Sequence, residues 1–233
     1  FNKCLDKLEK AKVNDIYTLA RKWNNIGEYE LATKAYIKGQ EIFPNNEFGF
    51  QLANAYRQAG KTEKMIDTYI DLIIKKSSNK RNIQITLQNT LGRTKTSESY
   101  KILKDKLLIS IQKNSNVDLM GILVWLLIES ENYDLAFTYI KAIEKKTDGD
   151  GSRIYNLGQL ANQNKQYKAA IKCYQYLIDK NSKFAINAKI LNLITKSKQI
   201  LESEYSTIDL QNLKSKYQEL FNELGENEST SYL

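Results

Sequence analysis

The sequence predicts an all-α chain: an α-α superhelix of antiparallel helix pairs, closed by a C-terminal capping helix pair. Three observations carry that reading. A single proline in 233 residues leaves long stretches rich in Leu, Ile, Ala, Lys, Glu and Gln, most of them strong helix formers. A small or apolar residue recurs at Ala32, Met65, Leu103, Ala136 and Ala170, at intervals of 33, 38, 33 and 34 residues. Around it, Tyr29, Thr62, Tyr100, Tyr133 and Tyr167 stand three residues upstream, and Tyr36, Tyr69, Leu107, Ile140 and Tyr174 four residues downstream. A fixed period of this length marks stacked supersecondary units, none of which can bury its apolar face alone.

Taken in order, residues 1–12 read as the second helix of a truncated preceding repeat. Five repeats follow, at 13–46, 47–79, 80–116, 117–150 and 151–183. The third is degenerate, its extra residues placed in the loop around Gly92 to Thr96. In each pair the first helix (A) offers a small residue to the second (B), as in Leu19-Ala20, Leu52-Ala53, Leu123-Val124 and Leu157-Gly158, so that the backbones approach. Gly27 and Gly60 fall at the turn inside a pair, where lack of a Cβ is expected to relieve a close helix crossing. The slot between repeats holds Pro44, Ser77, Ser115, Asp148 and Ser182; serine there ends one helix and caps the next.

Residues 184–225 are read as the capping pair and 226–233 as a polar tail. Within the cap, Ser206 and Asp209 supply a helix start and Gly225 a stop. Leu210, Leu213, Tyr217, Leu220 and Leu224 form an apolar seam. That seam is assigned to intramolecular packing, with self-association through the same helix left open as the alternative, because two heptads do not sustain a coiled coil.

The set Leu-Gly/Ala, Tyr, Gly-x-Tyr-x-x-Ala-x-x-x-Tyr and Pro resembles the tetratricopeptide repeat across residues 13–183. The resemblance implies a non-enzymatic scaffold whose protein or peptide partner lies in the concave groove of the A helices. Its inward positions fall on Asn14, Tyr17, Arg21 and Asn24 in the first repeat, and on Glu47, Phe50, Asn54 and Arg57 in the second. The fourth repeat supplies Asp118, Gly121, Trp125 and Ile128, and the fifth Ser152, Tyr155, Gln159 and Asn162. Arg21 and Arg57, in adjacent repeats, are expected to hold a carboxylate together. Tyr17, Phe50, Trp125 and Tyr155 are the expected apolar anchors. Tyr17 and Arg21 replace the Lys-Asn pair of the chaperone-binding subfamily, so that ligand is not implied. The lysine-rich repeats also resemble, loosely, multi-repeat proteins of bacterial envelopes. That likeness and the Phe1 start leave open a repeat module of a larger envelope protein or enzyme, with a lean toward the periplasm or envelope.

Catalytic chemistry is poorly served. No histidine is present, which removes the usual general base, imidazole zinc ligand and Ser-His or Cys-His pairing. Cys4 and Cys173 cannot build a disulfide scaffold, and Cys173, inside a B helix, reads as a small buried apolar group. Gly60-Lys61-Thr62 lacks the upstream glycine and strand of a phosphate loop. Asp148-Gly-Asp-Gly151 misses calcium-loop spacing and reads as a turn with a capping acid. Carboxylates two apart on a helix, Glu129 with Glu131 or Glu202 with Glu204, point away from each other. Asn227-Glu-Ser229 fits a glycosylation sequon in form alone. No enzyme activity, cofactor or metal is expected, and the longest apolar run, Ile122 to Ile128, is too short to span a bilayer.

The net charge of +8 raises nucleic acid as an alternative partner, as for RNA-reading helical repeats. The lysines that would serve it are dispersed over B helices and turns. Residues 200–233 hold seven carboxylates against two lysines, which leaves a basic body and an acidic end.

Overall fold

The computed structural model describes residues 11–44, 48–75, 79–91, 98–225 and 230. Residues 1–10 with Cys4, Glu47, Ser77, the Gly92 to Thr96 loop, and the Asn227 to Ser229 sequon with most of the tail lie outside the described residues. The described residues form twelve helices and no strand. The chain divides into two compact units, residues 1–126 and 127–233.

In the first unit α1 (Val13–Asn25) packs on α2 (Tyr29–Ile42), α2 on α3 (Gly49–Gln58) and α3 on α4 (Thr62–Lys75). α4 in turn meets α5 (Lys80–Leu91) and α6 (Glu98–Asn114). The division falls within α7 (Val117–Glu129), whose run of Leu, Ile, Met, Val and Trp is apolar on every side. Such a helix needs burial all round, and Leu119, Met120, Ile122, Leu123, Leu126 and Leu127 are buried. In the second unit α8 (Tyr133–Thr147) packs on α9 (Ser152–Gln163) and α10 (Tyr167–Asp179). α9 packs on α10, α10 on α11 (Ala185–Leu201), and α11 on α12 (Thr207–Leu224).

The periodic positions form the core. Ala32, Met65, Leu103, Ala136 and Ala170 are all buried, as are Tyr36, Tyr69, Leu107, Ile140 and Tyr174 four residues on. Close backbone approach is real at Gly158, where an added Cβ would stand 2.8 Å from Cε1 of Tyr174 and 3.1 Å from Cβ of Cys173.

Gly27 and Gly60 do a different job from the one expected. A Cβ on either would meet nothing within 4 Å, so no helix crossing is being relieved. Both instead have positive φ, +83° and +70°. Each sits two residues past the A-helix end, where the next amide reaches back to close the helix: Glu28 N–H to the Trp23 carbonyl at 2.9 Å, and Lys61 N–H to that of Tyr56 at 2.8 Å. The same closure recurs at Asn132 to Leu127 and Gln166 to Ala161, both 2.8 Å, with Glu131 and Lys165 in the left-handed position.

The capping helix α12 begins at a reciprocal pair: Ser206 N–H donates to Asp209 at 2.8 Å, and Asp209 N–H donates to the Ser206 hydroxyl at 3.2 Å. It ends at Gly225, φ +71°. Leu213, Tyr217, Leu220 and Leu224 pack against Ile190, Leu193 and Ile194 of α11, and the Tyr217 and Ser197 hydroxyls are 2.8 Å apart. Four of the five seam residues are thus engaged within the unit, while Leu210 is exposed.

Candidate functional site

Asn14, Tyr17, Arg21 and Asn24 recur at spacings of three, four and three along α1 and so share one helical face. Gln51, Asn54 and Gln58 do the same on α3. Between these faces and α2 lies a cleft of about 620 Å³ in the first unit. Its wall holds six carboxamides (Asn14, Asn24, Asn25, Gln51, Asn54 and Gln58), Thr18, the tyrosines Tyr17, Tyr29 and Tyr36, and one charged group, Arg21. Among the described residues no carboxylate and no aliphatic side chain line it.

Tyr17 is held by aromatic packing, 4.7 Å from Phe48 and 6.2 Å from Tyr36 between ring centroids. Burial raises the pKa of the Tyr36 hydroxyl, as does neighbouring Tyr17, while the Arg21 charge opposes both. Arg21 is exposed and makes no ion pair among the described residues. Two amide oxygens, Oδ1 of Asn24 and Oε1 of Gln51, are buried without a hydrogen-bond partner. Buried polar atoms are normally satisfied, so two such acceptors in one cleft are a local excess.

The remaining expected positions are distributed differently. Arg57 donates from Nη2 and Nε to Oδ1 of Asn54, at 2.8 and 3.3 Å, and is not part of the cleft wall. The expected Arg21–Arg57 carboxylate pair is therefore not assembled. Phe50 packs edge-on against Tyr69 at 6.1 Å, outside the cleft. Asp118 is 3.4 Å from the Lys80 ammonium, which also covers Gly121. Trp125 is half-buried on α7.

In the second unit Tyr155 stacks on Phe184 at 4.7 Å and meets the edge of Tyr174, so its ring serves packing. Gln159 is exposed. Oδ1 of Asn162 is buried and unpartnered, as is that of Asn24 at the same repeat position. Ile128 is half-buried, and Ser152 donates its N–H and hydroxyl to Asp150.

Thr18, Asn25, Gln51, Gln58, Tyr29 and Tyr36 of the cleft wall escaped the sequence reading as site residues. The two glutamines flank Asn54 by one helical turn, a signal that was present; Tyr36 was assigned to packing alone, and it does both. Two features excluded as chemistry stay structural. Gly60 ends a helix turn. In the Asp148 to Gly151 loop, Asp150 accepts from Ser152 and from Lys183 at 2.6 Å, while buried Glu144 accepts from Gly151 N–H at 2.6 Å and Arg153 at 2.8 Å. Among the described residues no cluster of metal-ligating side chains occurs.

Residues 152–179, which are α9, α10 and their turn, match the tetratricopeptide repeat family. No curated protein matches the chain. Among solved structures the chain is similar to PilF of Pseudomonas aeruginosa, at 15% identity and a TM-score of 0.35, over 98% of this chain and 97% of that one. The family match thus rests on α9 and α10, and the described residues of both units are all-α, with successive helices packed on one another.

Proposed function

We propose that the chain is a non-catalytic interaction scaffold that captures an extended peptide segment of a protein partner in the cleft between α1 and α3. The observation that carries this reading is the cleft itself: about 620 Å³, walled by carboxamides, with the Asn24 and Gln51 oxygens left without donors. A peptide main chain offers N–H and C=O groups alternately along its length, which suits carboxamides able to donate and accept. Bound N–H groups would satisfy acceptors that otherwise remain a desolvation cost. Tyr17 and Tyr36 add aromatic surface at its side.

The test is capture of a native partner by wild-type protein and by a Tyr17→Ala/Arg21→Ala/Asn54→Ala variant. These groups are exposed or half-buried, so helicity should persist while capture is lost. Full capture by the folded variant would place the partner elsewhere.

Nucleic acid is a weaker second reading, because the lysines are dispersed and several of them are held in ion pairs. Lys61 binds Glu30 at 2.5 Å, Lys106 binds Asp67 at 2.8 Å, and Lys172 binds Asp134 at 2.6 Å. A phosphate ligand would have to displace those carboxylates.

A further inference from the structure

Arg57 lies on the same face of α3 as Asn54, one turn on, yet its guanidinium turns back to its own helix. Two of its N–H groups converge on Oδ1 of Asn54. That grip settles which way the Asn54 amide faces. With its oxygen occupied by a cation, Asn54 has only its Nδ2 group to offer, and that group makes no other hydrogen bond among the described residues. Asn24 on α1, and Gln51 one turn back on α3, present acceptors with no donor. Arg21 is the sole cation on the wall among the described residues.

We infer that Arg57 is a positioning residue for ligand binding: it holds the Asn54 amide with its donor toward the cleft, while Arg21 alone meets the ligand's negative charge. The ligand this fits is an extended peptide carrying one carboxylate, with main-chain N–H groups for Asn24 and Gln51 and a carbonyl for Asn54. The inference rests on the peptide-capture reading. It separates two arginines that the repeat pattern makes equivalent: one reads charge, the other sets geometry. Among the described residues no carboxylate lines the cleft, so they offer a basic peptide no counter-charge there.

A random dodecapeptide library on phage, panned against the full chain, supplies the probe. Enriched peptides are expected to share an Asp or Glu at one position. The leading peptide and its Asn or Gln counterpart are then titrated by fluorescence anisotropy. Arg21→Ala should weaken the acidic peptide about tenfold or more and barely change the amide form, as expected for loss of a charge-assisted bond. Arg57→Ala should weaken both forms by the same factor, match Asn54→Ala, and add nothing to it in the double variant. Asn54→Asp keeps the Arg57 contact but deletes the donor and adds a negative charge, and should bind no better than Asn54→Ala.

Discrimination between acidic and amide peptides by Arg57→Ala would put its guanidinium on the ligand and overturn the assignment. Additive losses in the double variant, or wild-type binding by Asn54→Asp, would do the same. If panning yields nothing that prefers wild type over the Arg21→Ala/Asn54→Ala variant, the peptide-capture reading fails first. Circular dichroism of each variant keeps folding separate from binding.

Discussion

Gly60 and Gly158 are two glycines in equivalent-looking helix pairs with different physical reasons to exist. Alanine at 60 meets open space but must hold φ near +70°, so its cost is backbone strain alone, about 1 kcal/mol. Alanine at 158 keeps helical backbone but drives a methyl into the Tyr174 ring at 2.8 Å, an overpacking cost of about 1–3 kcal/mol. Lys165, at φ +59° in the same turn position as Gly60, gives the reverse case, and Lys165→Gly should raise stability by a few tenths of a kcal/mol or more. Urea unfolding of the three variants checks the order, and an unchanged Gly158→Ala midpoint would contradict the close approach. Cys173 yields a kinetic prediction. Burial pushes its thiol up to about 12, so almost no thiolate exists at neutral pH. In a Cys4→Ser background a thiol-reactive disulfide reagent should label it at the rate of unfolding and no faster.

At the level of elements, what the sequence made legible was whatever depends on periodic burial. The B-helix anchors from Ala32 to Ala170 lie where the period puts them, because only one stripe of each helix can face its neighbour. The capping box at Ser206 was equally legible, since Ser and Asp three apart have one joint use at a helix start. The cleft was half legible: Tyr17, Arg21, Asn24 and Asn54 face it, as repeat position dictates. Arg57 and Tyr155 escaped because a long polar or aromatic side chain chooses among neighbours, here Asn54 and Phe184, that a one-dimensional pattern does not rank. Loops were read by composition, yet the Asp148 to Gly151 loop is organised by Glu144, a buried carboxylate four or more residues away. This loop carries a pH prediction. Hydrogen bonds from Lys183, the Ser152 hydroxyl and the Ser152 amide hold the Asp150 carboxyl well below the usual carboxylate range. A group depressed in the folded state contributes stability above its unfolded pKa, about 3.9, and loses it as pH falls toward the folded value. The melting temperature should therefore fall between pH 5 and pH 3, and the fall should be smaller in Asp150→Asn. An identical fall in both proteins would leave Asp150 without that role.

Across the whole molecule the charge total misleads unless it is followed pair by pair. The excess of +8 sits on a chain whose lysines repeatedly reach a carboxylate roughly one repeat away in sequence. In the second unit Lys183 meets Asp150 at 2.6 Å, Lys165 meets Glu202 at 3.1 Å, and Lys189 meets Glu223. The last two tie the acidic C-terminal stretch to basic side chains of its own unit, so the separation of charge along the sequence is partly cancelled in space. Each exposed pair contributes little stability, but each also withdraws a cation from polyanion binding. Nucleic-acid binding grows with the number of phosphates neutralised and weakens with salt at a slope of about 0.7–0.9 per contact. With lysines dispersed and several paired, few contacts can form together. Single-stranded RNA should therefore bind weakly at low salt, with a slope of only about 1 to 3 contacts, and not detectably at roughly physiological ionic strength. The measurement is an anisotropy titration from 50 to 200 mM salt, with Glu202→Gln/Glu223→Gln as the comparison, since freeing Lys165 and Lys189 should strengthen what binding there is. Tight, steeply salt-dependent binding by the wild-type chain would mean that the paired lysines exchange carboxylates for phosphates readily, and would move the functional surface from the carboxamide cleft to the lysine-bearing helices.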